Sequence, residues 1–443
     1  MQHDDDNPRA RHRAVPSGRL ARLGGFGRLA GGVAGGMIAE GARRLAAGER
    51  PKVGDLILTP GNAARVADRL SHLRGAAMKL GQMISMDAGD VLPPELQTIL
   101  AQLRNQAYRM PPQQLDGVLR QEWGTDWRRR FRHFEASPIA AASIGQVHRA
   151  TLPDGRVLAI KVQYPGVAES IGADVDNVAT LLRVSGLLPA TLDLRPLLEE
   201  AKRQLAEEAD YVREGAQLRA FRERLDGDPR YVVPALHEVL TTRRVLAMDF
   251  VEGRAIEALV DAPQDERDTA MTSLVTLVLR ELFEFGVMQT DPNFANYRWQ
   301  AETGALVLLD FGAARAIPAD TIDSYRRLIQ AGLARDRDRI RDIAVETGFI
   351  GPAAEAAHRP AIDRIILAID EALNRPGRFD FGDRAFVPVV REEAKALVAD
   401  RATWHVPHVE TLFVQRKVSG TALLAARLKA RVDVRGLAAA AIA

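Results

Sequence analysis

The chain has 443 residues, 47% of them hydrophobic and 27% charged, which are ordinary values for a globular protein and enough length for roughly three domains, or two with elaborations. Lys and Arg total 60 against 58 for Asp and Glu, and the net charge of +2 argues against wholesale nucleic-acid binding, which needs a basic face over a whole domain. With no cysteine, disulfides, thiolate metal sites and cysteine nucleophiles are excluded.

Residues 1–50 read as a basic, glycine-rich tail. Arg9, Arg11, Arg13, Arg19, Arg22 and Arg28 precede the uncharged run Leu29–Ala39. As a helix that run spans about 16 Å, against about 30 Å of bilayer hydrocarbon, so it does not cross a membrane. Gly27, Gly31 and Gly35, followed by Ala39, line one helix face with small residues. The tail is expected either as a flexible segment or as one that lies on a membrane surface or self-associates, which leaves a homodimer open.

Residues 51–130 read as a helical extension. Leu70, Leu73, Ala77, Leu80 and Ile84 fall on one stripe, and helices restart at "VLPPELQTILAQLRNQ" and at Pro111-Pro112. Residues 131–253 turn β-rich. "QVHRATL" and "RVLAIKVQY" flank Pro153-Asp154-Gly155, a hairpin by turn chemistry. Alternation puts Val157, Ala159, Lys161 and Gln163 on one face of the second strand and Leu158, Ile160 and Val162 on the other. One long helix is expected over Arg195–Leu225, then strands from "YVVPALHEVL" and "RRVLAMDFVEG". Residues 254–443 are expected to be mainly helical, with a β-pair around "ANYRW" and "ALVLLDFG". The basic stretch from Arg416 to Arg435 reads mainly as an amphipathic core helix, with Leu424, Leu428 and Val432 on one side.

A β-rich segment with a lysine in "AIK", followed by a helical one, is the pattern of an α+β, two-lobed, protein-kinase-like fold. Asp291 and Asn296 in "QTDPNFAN" have the D-x-x-x-x-N spacing of a kinase catalytic loop, and Asp310-Phe311-Gly312 follows in the expected order. Phosphoryl transfer needs the phosphate charge neutralised and magnesium held. Lys161 is placed to meet the α- and β-phosphates of ATP, with Glu208, Asp210 or Glu214 as its acidic partner. Asn296 and Asp310 are hard oxygen ligands suited to Mg²⁺. Asp291 is placed to orient or deprotonate a nucleophile, a role worth about 10²–10⁴ in rate.

Met248 to Glu252, with Phe250 between them, are expected as the hinge whose backbone pairs with adenine. Ala140, Ala141, Ala142 and Ser143 are expected as a nucleotide loop with alanines where glycine is usual. A non-glycine residue enters left-handed backbone angles only at roughly 1–2 kcal/mol, so the alanines narrow the loop's shapes and disfavour ordinary transfer to protein. After Gly312 there is no A-P-E and no long activation segment, the shelf on which a protein kinase lays its peptide.

These motifs resemble the UbiB/AarF/ADCK atypical kinase-like family over nearly the whole chain. "AAASIGQVH" is similar to its alanine-rich loop, and "MKLGQMISM" to its K-x-G-Q signature at Lys79, Gly81 and Gln82. "EADYVRE" is similar to its E-x-D motif at Glu208 and Asp210, with Glu214 as the partner of the lysine. "QTDPNFAN" and the tail Val414–Val432 look like the mitochondrial-type branch. The resemblance implies a K-x-G-Q helix that covers the site, with Lys79 and Gln82 acting in turnover, and a link to ubiquinone biosynthesis. It also implies partners among ubiquinone-pathway enzymes or lipid intermediates, and a cytoplasmic protein peripherally associated with the inner membrane. The function expected is an ATP- and Mg²⁺-dependent ATPase or small-molecule phosphotransferase. A protein kinase acting in trans and an ATP-switched, non-catalytic scaffold are the alternatives.

Overall fold

The computed structural model describes residues 110–142, 144–184, 195–403, 405 and 409–443. The chain divides into two units. One contains the residues up to Gly215 together with Leu236–Phe250, and the other contains Ala216–Ala235 with Val251–Ala443.

In the first unit, α1 (Pro112–Trp123) starts at the double proline, where a missing amide is tolerated because the first turn has no acceptor for it. Leu115, Val118, Leu119 and Trp123 make its buried stripe, and Gly124 ends it at φ 87°, an angle that favours glycine. Trp123, Trp127, Phe131 and Phe134 then gather in tilted and edge-on contacts that anchor the core.

A five-stranded antiparallel sheet follows. β1 (His133–Phe134) and β2 (Ala140–Ala141) both pair with β3 (Gly145–Thr151), and β3 pairs with β4 (Val157–Gln163). β4 pairs on its other side with β6 (Val245–Asp249). β4 is covered on both faces. Leu158, Ile160 and Val162 are fully buried, and Ala159, Lys161 and Gln163 opposite them are nearly so. Each of the three branched side chains contributes roughly 1.5–3 kcal/mol by leaving water.

Three helices stand where the sequence suggests one. α2 (Val167–Val184) has no counterpart in the sequence reading. α3 (Arg195–Glu208) and α4 (Tyr211–Arg224) replace the single helix expected over Arg195–Leu225. The break falls at Asp210, whose Oδ1 accepts from the amides of Val212 and Arg213 at 3.1 and 3.2 Å. An acid that bonds the backbone locally starts a helix better than it continues one.

In the second unit, β5 (Tyr231–Val232) takes only two residues of "YVVPALHEVL". With β7 (Arg254–Ala255), β9 (Tyr297–Gln300) and β10 (Ala305–Leu308) it forms a sheet of order β5-β10-β9-β7. α5 (Gln264–Arg280) continues into a π-helical turn, Glu281–Phe285, ended by Gly286 at φ 59°. β8 (Val287–Gln289) follows and pairs with β11 (Ala314–Ala316). The remainder is α6 (Ala319–Ala334), α7 (Arg337–Glu346), α8 (Pro352–Leu373), β12 (Phe379–Asp380), α9 (Val387–Ala399), α10 (Val409–Leu428), β13 (Arg431–Val432) and α11 (Val434–Ile442). Val278, Leu282, Met288, Ile317, Tyr325 and Val414 form a core cluster that ties α5, β8, α6 and α10 together.

The C-terminal helix is shorter than its periodicity suggests. α10 stops at Leu428, and Lys429 turns the chain at φ 50°. Val432 is therefore not on the helix side shared by Leu424 and Leu428; it is buried in β13. Arg416 and Lys417 are 2% and 0% exposed, so this part of the basic run faces inward. Among the described residues, no helix is long and apolar enough to cross a membrane.

Candidate active site

In the first unit the site is built on β4. Lys161 Nζ donates to both carboxylate oxygens of Glu214, at 2.8 and 3.0 Å. The two side chains are 8% and 1% exposed, so the pair is shielded from water. Glu214 on α4, one of the three acids that the sequence offers as a partner, is hydrogen-bonded to the ammonium. The Tyr211 ring centre lies 5.0 Å from Nζ and adds a π-face to the cation's surroundings. Gly145, at the start of β3, is needed for this packing. A Cβ there would run into the Val162 carbonyl and lie 2.9 Å from Tyr211 Oη.

Glu208 ends α3, is buried, and accepts from Gln204 Nε2 at 3.4 Å. Asp210 caps α4, as described above. Gln163 on β4 donates to the Ala209 carbonyl at 2.7 Å and so holds the Glu208–Asp210 corner against the sheet. Ala140 and Ala141 are exposed and pair with Val147 and Gln146, and the Ala142 amide donates to the Gly145 carbonyl at 2.9 Å. None of these alanines has a positive φ, so their extended conformation carries no left-handed strain.

Met248 is paired inside the sheet, with Ala159 on one side and Leu236 on the other. The Phe250 amide donates to the Val157 carbonyl at 2.9 Å, and Arg149 stacks over the Phe250 ring. The Glu252 carbonyl accepts from Gln300 at 3.0 Å. A base bound along this segment has to meet other backbone groups than these.

In the second unit, Asp291 follows β8, and its amide donates to Gln289 Oε1 at 3.1 Å. Asn293 Oδ1 accepts from the Ala295 amide at 3.1 Å and caps a short 3₁₀ turn that ends at Asn296. Asn296 Nδ2 donates back to the Asp291 carbonyl at 3.3 Å, which closes the loop. The Leu309 amide donates to the Asn296 carbonyl at 3.0 Å, and Tyr297 pairs with Leu308 across the β9–β10 ribbon. Asn296 and Asp310 therefore stand at the same end of that ribbon. Asp310 Oδ1 accepts from the Gly312 amide at 3.0 Å, and Phe311, buried, packs 4.9 Å from the Phe221 ring.

The donor set fits a magnesium nucleotide. Asn296 spends its amide nitrogen on Asp291, which leaves Oδ1 as the atom suited to a cation, and Asp310 adds carboxylate oxygen. Among the described residues no cluster of three or more His, Asp or Glu side chains is gathered for a metal. Mg²⁺ does not need one, since it is usually held by one or two protein oxygens together with water and phosphate. Lys79, Gln82 and Ser143 lie outside the described residues. Tyr211 and Gly145 were missed in the sequence reading. Gly145 carried a signal, as the one glycine in an alanine-rich loop; an aromatic directly after the E-x-D motif did not distinguish Tyr211.

Residues 102–344 match the ABC1 atypical kinase-like domain. The chain is 39% identical to "Atypical kinase COQ8B, mitochondrial" of Danio rerio, over 97% of this chain and 69% of that one. It is 37% identical to "Atypical kinase COQ8, mitochondrial" of Saccharomyces cerevisiae, over 95% of this chain and 84% of that one. The solved structure of an Rv3197–erythromycin complex from Mycobacterium tuberculosis superposes with a TM-score of 0.59, covering 85% of this chain and 94% of that one. Its identity of 24% makes this a likeness of fold alone.

Proposed function

Because the chain belongs to the ABC1 atypical kinase-like family, we propose that it is a Mg²⁺-dependent ATPase or small-molecule phosphotransferase that supports ubiquinone biosynthesis at a membrane surface. The observation that carries the reading is the buried pair of Lys161 with Glu214. A lysine sealed against a carboxylate inside a sheet is poor surface design and good phosphate chemistry, because its ammonium is fixed before any ligand arrives.

In this reading Lys161 binds the α- and β-phosphates, and Glu214 and Tyr211 fix its direction. Asn296 and Asp310 hold Mg²⁺, which when bound neutralises charge on the phosphate oxygens. Asp291 orients the attacking water or hydroxyl and takes its proton as the new O–P bond to the γ-phosphorus forms and the bond from that phosphorus to the β-phosphate oxygen breaks, releasing ADP. The short path from Gly312 to α6 lacks a peptide shelf, which favours water or a small acceptor over a protein. Lys79 and Gln82 enter through the K-x-G-Q resemblance and act on turnover. The family's link to ubiquinone makes a phenolic quinone precursor the acceptor to try first.

The test is ATP hydrolysis by the full chain with Mg²⁺, with and without anionic liposomes and a phenolic quinone precursor. Phosphate release that rises with these additions and is lost in Asp291→Asn supports the reading. Transfer of labelled phosphate to proteins in trans, or full complementation of a quinone-deficient strain by Asp291→Asn, overturns it.

A further inference from the structure

Lys417 of α10 has no part in the chemistry above, yet its side chain is 1% exposed. Its Nζ donates to Tyr297 Oη at 2.9 Å and lies 3.3 Å from Glu281 Oε2, itself on a side chain 1% exposed. Burial works against the charge on Lys417, but Glu281 and then Tyr297 outweigh it and hold its pKa above that of an ordinary lysine. Taking two charges out of water costs several kcal/mol per ion, and apolar replacements are often as stable, so such a pair is weak evidence of a stabilising role. What it supplies is direction.

The two partners stand on either side of one loop in the chain. Tyr297 directly follows Asn296. Glu281 opens the π-helical turn that runs directly into β8, whose last residue is Gln289. Gln289 Oε1 in turn accepts from the Asp291 amide at 3.1 Å. We propose that Lys417 is a positioning residue, its ammonium clamping Tyr297 and Glu281 so that the Asp291–Asn296 loop keeps the shape turnover needs. This rests on the nucleotide reading of that loop and adds a helix that the reading does not use.

The test takes two variants of the full chain. Tyr297→Phe keeps the ring and removes only the hydroxyl that Lys417 holds. Lys417→Met with Glu281→Gln removes both charges together, so neither is left buried alone. Each is measured for kcat and KM with ATP and for amide hydrogen exchange. The expected result is a kcat lower by about tenfold, a KM within about twofold, and exchange faster by about tenfold over residues 289–297 but unchanged in α6 to α8. Unchanged kcat and loop exchange in both variants overturns the proposal. So does exchange that quickens evenly across the second unit while kcat and KM move together. Faster loop exchange in a protein whose parent hydrolyses no ATP counts against the ATPase reading and leaves the clamp standing.

Discussion

Lys161 and Glu214, 53 residues apart in the chain, hold each other through two hydrogen bonds of 2.8 and 3.0 Å at a site almost closed to water. Among the described residues most ion pairs have at least one exposed partner and are screened, and each such pair is worth at most about 1 kcal/mol. This one differs because neither charge can find water if the other is removed.

Lys161→Met should therefore destabilise by about 3–5 kcal/mol, since it takes the ammonium away from the buried Glu214 carboxylate. Lys161→Met combined with Glu214→Leu should recover most of that loss in urea unfolding while binding no ATP. A double variant no more stable than the single one would show that the stranded carboxylate is not the source of the cost.

Asp210 has a structural task that can be separated from any role in nucleotide binding. Asp210→Ala should lose the α4 cap and about 1 kcal/mol, whereas Asp210→Asn, also a good cap, should stay within a few tenths. Thermal melts of the two check this. If the asparagine variant keeps its Tm and loses turnover, the carboxylate also serves the chemistry.

Gly145→Ala should cost about 1–3 kcal/mol, because the added methyl meets the Val162 carbonyl and Tyr211 Oη and must part β3 from its neighbours. ATP affinity should fall with it, as Tyr211 is displaced from Lys161. Gly117→Ala in α1 is the control: nothing lies within 4 Å of its new Cβ, so it should be neutral or stabilising. Equal melting of the two variants would contradict the steric explanation.

His148 ties stability to pH. It is fully buried; Nδ1 donates to the Glu135 carbonyl at 2.8 Å and Nε2 accepts from Gln146 at 2.9 Å, a network that selects the neutral ring. Burial pushes its pKa down to about 4, although the Glu135 carbonyl acts in the opposite sense. The unfolded chain takes up this proton near pH 6.5 and the folded one only near pH 4. The contribution, about 3 kcal/mol, is thus complete above about pH 6.5 and is lost as pH falls through about 4. Urea midpoints at pH 7, 6 and 5 should decline in the parent chain and decline less in His148→Gln. Parallel declines would assign the acid sensitivity elsewhere.

What the sequence discloses depends on how local the cause is. The β3–β4 hairpin and the β9–β10 ribbon announce themselves because turn residues and alternating side chains sit within a few positions of each other. Lys161 is legible for the same reason, as a lysine embedded in an apolar strand. The choice of Glu214 among three acids is not, because it depends on where α4 begins. Asp210 looks like an interior helix charge until its side chain is seen on the Val212 and Arg213 amides. Lys417 is hidden more thoroughly. In a basic, periodic stretch it reads as one face of a helix, and only the packing of α10 against Tyr297 and Glu281 turns that charge inward.

Equilibrium binding of ATP to the full chain, in excess Mg²⁺ and again in EDTA, tests most directly the roles proposed for Lys161 and Asp310. The parent chain should bind about tenfold or more tightly with Mg²⁺. Asp310→Asn should lose that gain, and Lys161→Met should weaken binding in both conditions. Affinity untouched by either substitution, with the parent and both variants folded, would contradict the nucleotide and magnesium roles proposed for these residues.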